Sequence, residues 1–309
     1  MPSPAEVEKS IEDSIRSTIA TRKPNLSALS VKAYVSMLKS LHRKVFPRED
    51  FDMSNFSKSE KILKALEDTP AKKRKTILSS ILAVCDEDKC DDYRRILMDD
   101  SMKSAIDSKK QKKSPREAEN WMDLNEVKEI VKAHKDYFDD FVKVVKNPTM
   151  EQLQRAQNYV LLLLTTGEGG MPPRRSIDWT LMKHREAGEE DNHYDGKAMH
   201  FKRYKTAKYH GPQTFPVPVT LRTILKKWIS KIPEGIDHLF FDSKGKALSN
   251  VQLTQRLNRI FGKKISTSML RHIFVTDKYK DIPALTEMLD TAEQMGHDLE
   301  MHLSYARKK

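Results

Sequence analysis

Four basic side chains and one tyrosine stand in order along the second half of the chain: Arg175, Lys205, Arg271, His297 and Tyr305. Their types suit one chemistry, the transfer of a phosphodiester without a metal. That reaction needs cations to neutralise charge on the non-bridging oxygens, an acid for the leaving 5′ oxygen, and a side chain that attacks phosphorus. Arginine fits the first task, because its planar fork binds two phosphate oxygens and keeps its charge. Lys202 and Lys208 are rivals for the place of Lys205. Other chemistries lack their residues. Gly167-Glu-Gly-Gly170 has no lysine to make a phosphate-binding loop and reads as a helix-ending turn. Glu189-Glu-Asp191 reads as a solvated loop, and no zinc, calcium or metalloprotease spacing occurs, so no metal or other cofactor is expected.

The elements that must position these residues are mainly helices. After a polar arm (1–24), Val31, Tyr34, Val35, Leu38, Leu41 and Val45 make one apolar helical face, with Ser30 as its N-cap. Further helices are expected at 59–67 and 70–85. The second of these opens on Lys72, Lys73, Arg74 and Lys75, four cations at the end where the helix dipole is already positive, which a DNA backbone would offset. Residues 108–116 carry five positive side chains and no apolar one, and predict an extended basic linker (108–120) whose Lys109, Lys110, Lys112 and Lys113 contact DNA. Beyond it, helices are expected at 124–143, 150–165, 221–232, 250–261, 267–279 and 282–295. Residues 197–219 alternate and are punctuated by proline, which predicts a small hairpin or edge sheet. The expected division is an arm (1–24), a helical domain (25–107), the linker, and a mostly helical domain with a small β-sheet (121–309).

Composition bounds the function. The chain has 309 residues, 56 Lys plus Arg against 44 Asp plus Glu, and a formal charge of +12; its pI is near 9.4 and its mean hydropathy −0.66. The excess of cations favours a polyanion as partner. A hydrophobic content of 38% is too high for a disordered chain, and the run Tyr159–Leu164 is far short of the ~20 residues that span a bilayer. Cys85 and Cys90 provide no disulfide framework, and the first residues lack the order of a secretion signal. The expectation is a soluble, intracellular protein that is not secreted and has no membrane partner.

The local words around the five residues resemble the tyrosine recombinase (phage-type integrase) family. Thr166-Gly-Glu-Gly-Gly-Met-Pro-Pro-Arg-Arg-Ser-Ile-Asp-Trp179 resembles the turn with the family's first arginine, and Asp178, three positions after Arg175, marks Arg175 rather than Arg174. Tyr204-Lys205-Thr206 resembles the family's hairpin lysine, Ser268-Met-Leu-Arg271-His272 its second arginine box, and Met295-Gly-His297 followed by Tyr305 its ending with the nucleophile. The Pro-Pro-Arg-Arg form looks most like members from large DNA viruses or mobile elements, which would act in a host nucleus or cytoplasm. The sequence departs from the family at three points. Ser268 stands where histidine is usual, the step from His297 to Tyr305 is one residue short, and four residues follow the tyrosine where many relatives continue into a docking tail.

The resemblance implies a site-specific recombinase or integrase that cleaves and rejoins duplex DNA through a 3′-phosphotyrosine. Arg175 and Arg271 would bind the phosphate oxygens, with His297 and Ser268 adding hydrogen bonds. Lys205 would be the acid, Lys208 a DNA contact, and dimers or tetramers would assemble on DNA. The alternatives are DNA relaxation of the type IB topoisomerase kind, a non-catalytic DNA-binding protein of the same fold, and an RNA- or membrane-binding basic protein. The charge predicts that duplex affinity falls steeply with salt, each neutralised phosphate adding about −0.9 to the log–log slope. Titration of fluorescent duplex between 50 and 300 mM salt (roughly the range in which counterion release is read) checks this, and a slope near zero removes nucleic acid as the partner.

Overall fold

Narrow apolar stripes on a strongly charged chain set the helices of the first hundred residues. The computed structural model describes residues 3–296 and 298–305, with backbone only for 302, 304 and 305. The described residues are mainly helical with one small antiparallel sheet, as the periodicity predicts. They form two units: unit 1 holds the residues up to Lys112 and those from Ala284 onward, and unit 2 is Lys113–Pro283.

Unit 1 begins with a correction. Residues 1–24, expected to be an arm, contain helix α1 (Pro4–Arg22), capped by reciprocal hydrogen bonds between Ser3 and Glu6. Its apolar stripe is one residue wide, Ile11, Ile15 and Ile19 at four-residue steps. The last two are fully buried against α2 (Ala28–Val45) and its neighbours. The cap of α2 is Ser27, whose hydroxyl accepts from the Ser30 amide, so Ser30 lies inside the helix. Next come α3 (Ser59–Ala65), α4 (Ala71–Ile81) and α5 (Asp91–Lys109). They close a core around Leu38, Phe56, Ile62, Leu78 and Tyr93, whose hydroxyl donates to the Phe56 carbonyl at 2.7 Å. Cys85 and Cys90 are both free and buried in this core.

Two further expectations change here. Arg74 does not join Lys72 and Lys73 on an open face. Its guanidinium grips Asp100 of α5 with two bonds of 2.8 and 2.7 Å, and Asp100 is only 1% exposed. Lys72 and Lys73 are exposed and Lys75 is half-buried. The basic segment is not an extended linker either. Helix α5 runs into it, Lys110 pairs with Asp107 at 2.7 Å, and a Ser114–Glu117 capping box starts α6 (Pro115–Asn120) in unit 2. Lys109 and Lys112 are exposed, and the Lys113 ammonium lies 4.0 Å from the centre of the Trp121 ring.

Unit 2 is built on α7 (Leu124–Val144) and α8 (Met150–Thr166). Helix α8 is buried along nearly its whole second half, including Leu161 to Leu164, because α7 and later helices cover it on several sides. After a turn come α9 (Ser176–Thr180), β1 (His193–Tyr194), β2 (Ala198–Phe201), α10 (Ala207–His210) and β3 (Gln213–Pro216). The strands pair antiparallel in the order β1-β2-β3, with Phe201 opposite Gln213. Pro216 sits on the edge strand, where its missing donor costs no ladder bond. Alternation along β2 turns Met199 and Phe201 inward, the Phe201 ring edge-on to Trp179, and leaves Ala198 and His200 half-buried. Helices α11 (Val219–Ile229), α12 (Asn250–Phe261) and α13 (Thr267–Lys278) complete the unit.

The chain then returns to unit 1 through α14 (Leu285–Gln294) and α15 (Leu299–Tyr305). Gln111 accepts from the Leu285 amide at 3.1 Å, and Ala292 is buried. Residues from Ala284 onward therefore group with the first unit, in place of the continuous 121–309 domain expected from order along the chain. Among the described residues no helix is long and apolar enough to cross a membrane.

The Arg74–Asp100 pair carries a prediction. Arg74→Ala strands a buried carboxylate and should destabilise unit 1 by about 3–5 kcal/mol. Arg74 also holds the Asp100 carboxyl below its ordinary value. Its stabilisation is thus present above about pH 4 and lost as pH falls further. Hydrogen exchange of unit 1 amides in the two proteins at pH 7 measures the loss; equal protection would contradict it.

Candidate functional site

The turn after α8 sets the first arginine. Gly167 ends that helix at φ +93°, and a Cβ there would lie 2.5 Å from the ring of Phe274, so glycine is needed both for the turn and for the close approach of α13. Two prolines then lead to Arg174 and Arg175, the latter at the N-cap of α9. The second arginine comes from α13. Its Arg271 is half-buried, and the next residue, His272, bonds Glu117 of α6 at 2.9 Å. The Ser114 hydroxyl and amide, with His272 in addition, bring Glu117 down to about 2.

Arg174 and Arg175 have different surroundings. Arg174 donates to Asp178 at 2.7 Å and to Gln213 at 3.2 Å, and its guanidinium lies 4.0 Å from the Phe201 ring centre. Asp178, expected from the resemblance to mark Arg175, is bonded to Arg174 instead. Helix geometry allows both, since neighbours three and four apart share a face. Among the described residues, Arg175 and Arg271 have no carboxylate within ion-pair distance and no side-chain hydrogen bond. Both line a cavity of about 460 Å³ with Arg174, Tyr204, Thr206 and His210. Burial pulls Arg271 below its ordinary value, and the like charge of Arg175 adds to that. Burial also raises Asp178, against the pull of Arg174 and then of Arg175 and Arg271. Two guanidinium groups lining one cavity, neither with a carboxylate at ion-pair distance among the described residues, make a socket for an anion.

The connection from β2 to β3 forms another wall. Buried Asn192 accepts from the amides of Lys202 and Arg203 at 2.8 and 2.7 Å, and the Tyr204 hydroxyl donates to the Gly211 carbonyl at 2.7 Å. Lys205 sits between two cavity-lining residues, is exposed, and does not itself line the cavity. Of its rivals, Lys202 bonds the Glu189 carbonyl, and exposed Lys208 lies 4.8 Å from the Tyr209 ring centre. Ser268 is exposed one turn before Arg271, outside the cavity lining. Asp191 is not simply solvated, because it pairs with Lys183 at 2.8 Å. Tyr305 ends α15 in unit 1, and His297 lies outside the described residues. Larger hollows, of about 860 Å³ in unit 1 and 770 Å³ beside α11, are lined among the described residues by none of Arg175, Lys205, Ser268 and Arg271. Gln213 and His210 were not singled out from sequence, where His210-Gly-Pro212 shows only as punctuation.

No protein-family model matches the chain, and no curated protein matches it. Among solved structures it is similar to the crystal structure of XerA recombinase, with 10% identity, 87% of this chain and 85% of that chain covered, and a TM-score of 0.35. It is also similar to XerH site-specific recombinase bound to difH substrate in a pre-cleavage complex (14% identity, 96% and 92% covered, TM-score 0.33). The post-cleavage XerH complex with palindromic difH gives 15% identity, 96% and 91% covered, and a TM-score of 0.34. All three are recombinases. Overlap at this level carries no argument about chemistry, which rests on the side chains of this chain.

The two neighbouring arginines should respond differently to truncation. Arg174→Ala leaves Asp178, 2% exposed, without its partner and should cost unit 2 about 3–5 kcal/mol. Arg175→Ala removes a half-buried, unpaired cation and should change stability by less than about 1 kcal/mol. All three tryptophans lie in unit 2, so urea unfolding followed by tryptophan fluorescence reads this unit. Equal losses in the two variants would contradict the division of roles.

Proposed function

We propose that the chain is a site-specific DNA recombinase that cleaves and rejoins duplex DNA through a 3′-phosphotyrosine. The observation that carries the reading is the pair Arg175 and Arg271, drawn from a turn and a helix 96 residues apart in sequence and, among the described residues, left unpaired in one cavity. The scissile phosphate sits with its non-bridging oxygens on the two guanidinium groups. The Tyr305 oxygen attacks phosphorus, the bond to the 5′ oxygen breaks, and Lys205 supplies the proton that the leaving oxygen takes. His297 and Ser268 add hydrogen bonds to the phosphate. The phosphotyrosine retains the bond energy, so rejoining is the same displacement in reverse, and the scheme needs neither ATP nor a metal. Lys72, Lys73, Lys75, Lys109, Lys110, Lys112, Lys113 and Lys208 supply phosphate contacts along the duplex. Arg74 is left out, because Asp100 holds it. Copies of the chain associate on the DNA.

Phenol is a poor nucleophile near neutrality, with a reference pKa of about 10, and becomes useful only in a field of cations. Tyr305→Phe removes one oxygen and should leave duplex binding intact while abolishing covalent protein–DNA product on a denaturing gel. In the unmodified protein, phosphotyrosine should map to the peptide containing residue 305. Covalent product from the phenylalanine variant would move the nucleophile elsewhere. Tight duplex binding with no covalent product from the unmodified protein would favour a non-catalytic DNA-binding role.

A further inference from the structure

Unit 2 holds a second cavity, of about 770 Å³, that shares no lining residue with the arginine socket. Val219, Arg222, Lys226 and Ile229 of α11 line it at steps of three and four, the spacing that puts helical side chains on one face. Arg185, Tyr194 at the end of β1 and the following Asp195 add to the lining. Three of these side chains are cations, and among the described residues no carboxylate pairs with them. Arg222 and Lys226 make no side-chain hydrogen bond there either, and Arg185 donates to the Pro233 carbonyl at 3.3 Å. The Arg222 Nε is buried without a partner among the described residues, which native structures seldom allow. The carboxylate of the lining is engaged elsewhere. Asp195 accepts from His200 at 2.9 Å and from the Lys197 and Ala198 amides at 2.7 Å each. Apolar groups stand beside the cations: Val219 is 68% exposed, Ile229 is half-buried, and Tyr194 has its hydroxyl tied back to the Gly196 carbonyl at 2.9 Å.

Three positive charges in one cavity exceed what a single carboxylate offsets, whereas a phosphate monoester carries about −1.5 to −2 near neutrality. A bare anion would use the cations and leave the apolar groups in water, and an anion on an apolar body uses both. The volume lies within the roughly 300–1,000 Å³ of small-molecule sites. We propose that the α11 cavity binds an organic phosphate, a monoester or diphosphate carried on an apolar or aromatic body such as a nucleoside. Arg222 and Arg185 offer planar forks to the phosphate oxygens and Lys226 a point charge, while Val219, Ile229 and the Tyr194 ring flank the body. The site is separate from the arginine socket and does not depend on the recombinase reading.

Calorimetric titration of the full chain with adenosine diphosphate, and with inorganic pyrophosphate as the same anion without a body, tests this. The titrations use the Arg175→Ala/Arg271→Ala protein, in which the other socket is removed. Adenosine diphosphate should bind at one site, at least about threefold more tightly than pyrophosphate because the apolar groups are then covered. Arg222→Ala and Lys226→Ala should each weaken both probes by about tenfold or more. Lys226 is exposed, so its variant keeps the fold, which tryptophan fluorescence in urea verifies. Val219→Ser should weaken adenosine diphosphate and leave pyrophosphate unchanged. Absence of saturable heat with either probe at roughly millimolar concentration overturns the proposal. So does unchanged binding in a folded Lys226→Ala protein, or equal affinity for the two probes. If both probes fail to bind while Arg222→Ala and Lys226→Ala weaken duplex binding, the cations serve a DNA backbone phosphate, and the small-ligand site is lost.

Discussion

The ion pair between Arg174 and Asp178 is the constraint on which the candidate site depends. It lies under a wall of aromatic rings from the small sheet, where an unpaired charge would be expensive. Arg174 takes one oxygen of the buried carboxylate, and among the described residues Arg175 is left without a protein partner, as is Arg271 across the cavity. Exchanging the partners would leave Arg174 free under the rings of Phe201 and Phe215, facing protein. One i,i+4 pair thus decides which guanidinium a ligand can reach.

The remainder of unit 2 keeps that pair and the two free arginines in register. Helix α8 is the buried axis, and its left-handed end at Gly167 brings the turn with Arg175 against the Phe274 face of α13, which carries Arg271. Asn192, with three hydrogen bonds to residues 202 and 203, fixes where the β2–β3 connection leaves the sheet. The Lys205 loop and the His210 ring thereby stand on pinned backbone, and among the described residues their side chains make no hydrogen bond or ion pair.

Much of this was legible in the sequence wherever the signal is local. The helix expected at 250–261 has those bounds, because the Ser249–Gln252 capping box starts it and Gly262 ends it in the left-handed conformation. Arg175 and Arg271 were legible from residue type and flanking words. What was not legible depends on partners distant in sequence. Four consecutive cations at 72–75 look alike until Asp100, 26 residues on, takes Arg74. Asp178 can reach either of two arginines, and the aromatic rings of the sheet settle which. The stripe of α1 is too narrow to stand out among its charges, and the return of α14 to unit 1 depends on contacts that order along the chain does not reveal.

The central claim is that Arg175 and Arg271 together hold one phosphate. Calorimetric titration with orthovanadate, a phosphate mimic, of the unmodified protein, Arg175→Ala, Arg271→Ala and the double variant measures it directly. A hydrogen bond to a charged group contributes roughly 1.5–3 kcal/mol, so each single loss should weaken binding by at least tenfold. The double variant should bind hardly more weakly than either single one, because both arginines serve the same anion. Unchanged affinity in the single variants, or strictly additive losses, would contradict a shared phosphate site.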